Sequence, residues 1–146
     1  MALGQTPGRA MISFRGDSMS VDLTMLTWAI ALTVVQMLVA VTGVMITVGV
    51  PKLAGNREGM TDCDGWVGRS QRSHRNMLEN LPLFAAAVLV TAVAGKANDL
   101  TALGAQIFFY SRLVYVPVYL IGIHWLRTVV WTVSMGGLVL ILTQLF

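Results

Sequence analysis

The stretch "LTMLTWAIALTVVQMLVAVTGVMITVGV", Leu23 to Val50, runs without one charged side chain. A helix rises about 1.5 Å per residue and the hydrocarbon core of a bilayer is about 30 Å thick, so roughly 20 such residues cross it. This one has length to spare for tilt, or for a turn that projects beyond the lipid. Three further runs share its character: Leu78 to Ala94, Leu100 to Ile121 and Trp125 to Phe146. None alternates apolar with polar residues at period two, and the chain is short for the eight or more strands of a membrane barrel. Every backbone polar group in lipid must be paired within its own segment. Four spans with short connections therefore imply an all-α, integral membrane four-helix bundle, up-down-up-down, in a single domain.

The composition excludes a soluble domain. With 55% of residues hydrophobic and only 12% charged, there are too few polar groups to cover a water-facing surface. The formal charge of +3 does not point to nucleic acid, because the basic residues flank the spans and read as topology signals. Lys52, Arg57, Arg69, Arg72 and Arg75 lie around the first connection and only Lys96 lies in the second, which predicts a cytoplasmic first loop; Arg9 and Arg15 argue the other way. Met1 to Ser20 lacks an apolar run of signal-peptide length and reads as a disordered tail, with Met11 and Met19 as alternative starts to Met1. Residues 21–146 are then the domain.

The stretch Pro51 to Gly68, "PKLAGNREGMTDCDGWVG", is the one long loop expected, either a flexible connection or a lid over a site. Its Cys63 is the sole cysteine, so no internal disulfide exists, and the flanking carboxylates make it a poor nucleophile. Later connections are short: Gly95 ends the second span, Asn98 or Asp99 caps the third, and a break near Gly122 separates the third from the fourth. Gly43, Gly49, Gly136 and Gly137 mark places where helices can approach closely. His74 and His124 are isolated and lack a ligand-spaced partner, so no metal is expected.

The polar residues near the second span are not scattered. On a helix Arg72, Asn76 and Glu79 fall at i, i+4 and i+7 in one stripe, with Asn80 and Pro82 beside it. Pro82 also frees the carbonyl of Leu78 as a further acceptor. In the third span Arg112 is followed on the same face by Tyr115 and Tyr119. An arginine there must face the bundle or another subunit, and Glu79 is its expected partner. Arg127 sits across the Gly122 turn on the same side of the membrane, so these seven residues can converge. Each also has a plainer reading. The arginines Arg69, Arg72 and Arg75 suit positive-inside anchors, Tyr115, Tyr119, Trp125 and Trp131 an interfacial belt, Asn76 a helix–helix contact, and Arg112 with Glu79 a structural pair. Read as a site, arginines beside a carboxylate, an amide and phenols suit a small zwitterionic ligand with two carboxylates, such as glutathione.

At this point "RSHRNMLENLPLF" (Arg72 to Phe84) and "YSRLVYVPVYLIGIHWLR" (Tyr110 to Arg127) resemble the signature of the MAPEG family, the membrane-associated proteins in eicosanoid and glutathione metabolism. The likeness covers Leu23 to the C-terminus and is similar to the family's bacterial branch. It implies a homotrimer in the bacterial inner membrane, with glutathione bound between neighbouring subunits near the cytosolic face. By motif position it assigns Arg72, Asn76, Glu79, Arg112, Tyr115 and Tyr119 to contact with glutathione, and Arg127 to stabilising its thiolate. Departures are present. Asn80 stands where leukotriene-type members have tyrosine, His74 where some have glutamine, the first helix lacks a basic residue near its end unless Lys52 substitutes, and the Tyr119-to-Arg127 spacing differs from some members. The expected activity is a glutathione-dependent transferase or peroxidase acting on lipophilic electrophiles. The alternative is a non-catalytic membrane protein that binds a lipid or anionic metabolite in the same pocket. A small drug exporter is disfavoured, because the first span has no embedded carboxylate to couple protons.

Overall fold

The structure, a computed structural model, describes residues 19–56, 59 and 63–146. The expectations for Met1, Met11, Arg9, Arg15, Arg57 and most of the tail fall outside the described residues. The chain forms α1 (Val21–Val48), α2 (Val50–Ala54), α3 (Gly65–Val93), α4 (Asp99–Ile121) and α5 (His124–Thr143), with no strand among the described residues. All but the short α2 are long and apolar enough to cross a membrane. They alternate in direction, as expected. The start of α1, the end of α3, the start of α4 and the end of α5 share one end of the bundle, and the opposite termini share the other.

The expected loop from Pro51 to Gly68 needs correction at both ends. Val50–Ala54 is a short helix with Pro51 in its first turn, where a missing N–H costs nothing. The second span's helix starts at Gly65, well before Leu78. Hydropathy marks the part of a helix that lies in lipid, whereas the polar turns from Arg69 to Met77 are helical without being apolar.

The interior of the bundle follows a 3–4 spacing. The buried residues of α1 include Asp22, Leu26, Ala29, Thr33, Gln36, Ala40 and Gly43, the seam of a left-handed knobs-into-holes packing. On α3 the buried positions include Ser70, Ser73, Met77, Asn80, Phe84, Ala87 and Thr91. Many of these side chains are small or polar, because lipid tails are as apolar as leucine and helix association rests on close packing and hydrogen bonds. At the centre Phe84 and Phe108 stack with ring centroids 3.9 Å apart. A close backbone approach joins α4 to α5, where a Cβ on Gly137 would stand 2.6 Å from the Gly104 carbonyl oxygen and 2.8 Å from the Phe108 nitrogen. Gly43 also lies against a neighbouring helix, facing Trp66 and Val67, whereas Gly136 faces open space and Gly49 ends α1 with φ of 83°.

The two ends are fastened differently. At the first, Asn98 caps α4 through a capping box, accepting from the backbone N–H groups of Leu100 and Thr101 while the Thr101 hydroxyl accepts from its own. Thr101 Oγ1 also donates to the buried Asp22 Oδ2 at 2.8 Å, tying α1 to α4. Lys96 Nζ donates to the Leu145 carbonyl and Asn98 Nδ2 to Gln144 Oε1, holding the end of α5. At the second, Arg69 Nε donates to the Leu120 carbonyl at 2.7 Å, and its guanidinium lies against Gly122, which ends α4 in the left-handed region at φ of 96°. Arg69 therefore does more than anchor the chain at a membrane surface: it supplies a cation to the negative end of the α4 dipole.

Gly137→Ala should lower stability by about 1–3 kcal/mol through overpacking against the Gly104 backbone. Gly136→Ala, one residue away, should be neutral or stabilising. Thermal unfolding of the detergent-solubilised variants reads the difference. Arg69→Leu leaves the Leu120 carbonyl without its partner, at a cost of about 1–3 kcal/mol. Faster amide exchange confined to the turn around Gly122 is the expected signature.

Candidate functional site

One face of α4 is turned inward along its whole length, bearing Thr101, Gly104, Ala105, Phe108, Arg112, Tyr115 and Val118. Arg112 is only 1% exposed, the largest fully buried side chain among the described residues. Its Nη1 donates to Asn76 Oδ1 on α3 at 2.7 Å. Asn76 is itself braced, since its carbonyl accepts from Nδ2 of the buried Asn80 one turn later at 2.6 Å. The guanidinium carbon lies 5.2 Å from the centroid of the Phe108 ring and 5.5 Å from that of Tyr115. Rings hold the charge through their faces and use none of its N–H donors. Nε and Nη2 are buried with no hydrogen-bond partner. These two share one edge of the guanidinium, the geometry that receives a carboxylate with two parallel hydrogen bonds.

Beyond Tyr115 the aromatic series continues. Tyr119 lies 5.4 Å from Tyr115 between centroids, and the guanidinium of Arg127 sits 5.0 Å from the Tyr119 ring. Asn76, Tyr115, Tyr119 and Arg127, together with Thr128 and Trp131, line a cleft of about 240 Å³ between α3, α4 and α5. Arg112 is directly behind its wall, bonded to Asn76 and packed on Tyr115. Tyr115 also lies within electrostatic reach of Arg112, Arg127 and Glu79.

The convergence expected of the seven residues is thus partial. Asn76, Tyr115, Tyr119 and Arg127 meet at one cleft with Arg112 behind them, whereas Arg72 and Glu79 are exposed on α3 outside its walls. The expected Glu79–Arg112 pair is not formed. Asn76, one turn before Glu79, takes the place nearest Arg112, because the inward seam of α3 passes through Ser73, Met77 and Asn80 and leaves Glu79 facing outward. Trp131 and Thr128 belong to the cleft, although Trp131 reads from sequence as a belt residue. The i, i+4 spacing from Arg127 to Trp131 is the signal that links them. Trp125, 87% exposed, lies outside the cleft. Cys63 is half-buried, its backbone N–H bonded to Gln71 Oε1, and takes no part in the cleft. Among the described residues no group of histidine, cysteine, aspartate and glutamate is arranged to hold a metal ion.

Comparison with curated proteins found no match. The model of the MAPEG family matches residues 23–146, from the first helix to the last residue, and so takes in the whole of the α3–α4–α5 cleft. A buried arginine on the third spanning helix, an asparagine and a glutamate on the second and an arginine opening the fourth lie within that match. The chain belongs to the MAPEG family, membrane proteins of eicosanoid and glutathione metabolism.

Proposed function

We propose that the protein is a glutathione-dependent transferase or peroxidase acting on lipophilic electrophiles dissolved in the bilayer. The observation that carries this reading is the unpartnered edge of Arg112, a cation enclosed in a membrane bundle with no carboxylate bonded to it among the described residues. An anionic ligand answers the need that the fold leaves open, and the donors present suit a carboxylate. Bound glutathione supplies a thiol that serves as nucleophile or reductant.

In this reading Arg112 and Asn76 hold a ligand carboxylate, reached as the Tyr115 ring turns aside. Tyr119 and Trp131 give apolar walls that exclude water and strengthen the electrostatic interactions within. Arg127 stands at the cleft over the Tyr119 ring, placed to stabilise a thiolate. Arg72 and Glu79 contact the remaining charged groups of the tripeptide.

The cleft is smaller than the roughly 300–1,000 Å³ of ordinary ligand sites and has an open side. Glu79, exposed at the edge of a membrane span, needs covering by protein or headgroups. A homotrimer meets both requirements, with a neighbouring subunit closing the cleft. The cluster of Lys52, Arg69, Arg72 and Arg75 at the end that carries Arg127 supports a cytoplasmic first loop, and so a site opening to the cytosolic face of a bacterial inner membrane.

Calorimetry on detergent-solubilised protein, shown by light scattering to be trimeric, should detect glutathione at micromolar to millimolar affinity. Arg112→Lys keeps the charge but loses the paired donors, and should weaken binding by about 10-fold or more. No heat from the folded trimer would overturn glutathione as the ligand. Arg127→Ala should leave affinity within about 3-fold yet abolish the ultraviolet thiolate absorbance of the bound thiol and the conjugation of an apolar electrophile. Wild-type protein that binds glutathione without ever showing thiolate would favour the non-catalytic alternative.

A further inference from the structure

A second cavity, of about 50 Å³, lies on the α1 side of the α3–α4 seam and shares no lining residue with the arginine cleft. Its walls are Leu32, Val35, Gln36 and Val39 of α1, Ser70 and Ser73 of α3, and Val116 and Leu120 of α4. Gln36 is 6% exposed and Ser73 2%, yet Gln36 Oε1 and Ser73 Oγ are buried without a hydrogen-bond partner. Other buried hydroxyls in the bundle have acceptors: Thr33 donates to the Ala29 carbonyl, Ser70 to Val67, Thr91 to Ala87 and Thr101 to Asp22 Oδ2. Ser73 and Gln36 break that pattern, and they do so around the same space.

An acceptor and a hydroxyl left open together call for one group that both donates and accepts. The rim decides where it comes from. Val35 and Val39, 54% and 39% exposed, stand on the surface of α1, and with Leu32, Val116 and Leu120 they make an entirely apolar mouth. Ser70 and Ser73 stand in the polar first turns of α3 and Leu120 one residue from the end of α4, so the cavity lies in the half of the bundle that carries the arginine cleft. The space exceeds the roughly 10–15 Å³ that admits one water, while several waters would each require two to four polar partners that these walls do not supply. We propose that this cavity is a binding site for a hydroxyl-bearing lipophile drawn from the bilayer, its hydroxyl donating to Gln36 Oε1 and accepting from Ser73 Oγ. The apolar skeleton that carries the hydroxyl lies over Val35 and Val39.

The test compares two tritiated probes of equal length, the methyl esters of 12-hydroxystearic and stearic acid, in equilibrium binding to the detergent-solubilised protein. Wild-type protein should prefer the hydroxylated ester by about 10-fold. Gln36→Leu and Ser73→Ala each remove an orphaned buried polar atom, so both should fold, and each should bring the preference to within about 2-fold while leaving glutathione binding unchanged. Equal binding of the two esters by wild-type protein, which needs no variant, would overturn the proposal. So would a preference that survives both substitutions, or a cryo-microscopy map with the hydroxylated ester that shows water between Gln36 and Ser73 or a second copy of the chain over Val35 and Val39.

Discussion

Arg112 is the constraint around which this bundle is arranged. An arginine at the centre of a spanning helix costs about 2.5–3.5 kcal/mol on insertion scales, and facing lipid offers no relief. The fold meets the cost with one amide and two aromatic faces rather than with a carboxylate. Asn76 gives a single acceptor, and Phe108 and Tyr115 contribute about 0.5–2 kcal/mol each through their ring faces. The result is a retained positive charge, enclosed and under-bonded. A carboxylate partner supplied by the chain would have made the same site inert toward anions.

The remainder of the molecule separates stability from this demand. One end is closed by the Asp22–Thr101 bond, the Asn98 capping box and the ties from Lys96 and Asn98 to the C-terminus. The other carries the arginines, the cleft and the turn held by Arg69.

Much of this was legible from the residues. The uncharged run to Val50 settled the class of fold, Gly95 and Gly122 marked the ends of helices, and Asn98 proved the cap. The shared face of Arg112 and Tyr115 on α4 followed from spacing alone, while Phe108 on the same face was not read from the sequence. What escaped was the contact face of α3. Both faces of a spanning helix look apolar, so the inside is marked by small and polar residues such as Ser73, Asn80 and Thr91 rather than by hydrophobicity, and Glu79 was assigned inward one turn too far. Gly104 escaped for a related reason: a lone glycine on α4 becomes meaningful only when Gly137 stands opposite it. The start of α3 at Gly65 was hidden because polar helical turns outside the lipid leave no trace in hydropathy.

The interlocked backbones of Gly104 and Gly137 carry a consequence for motion. The most extensive contact in the bundle is between α4 and α5, followed by that between α1 and α3, which divides the molecule into two antiparallel hairpins. Their backbones meet at this crossing with the side chains of Ile107 and Ile141 packed against it, which holds α4 and α5 in register. Tyr115, Tyr119, Arg127 and Trp131 therefore travel as one plate. Any breathing of the cleft is a shear of that plate against the α1–α3 pair, and the seam it must cross is spanned by the hydrogen bond from Arg112 to Asn76. The charge that the fold works to accommodate is thus also one of the clasps between its two hairpins, with the Arg69–Leu120 and Asp22–Thr101 bonds nearer the ends.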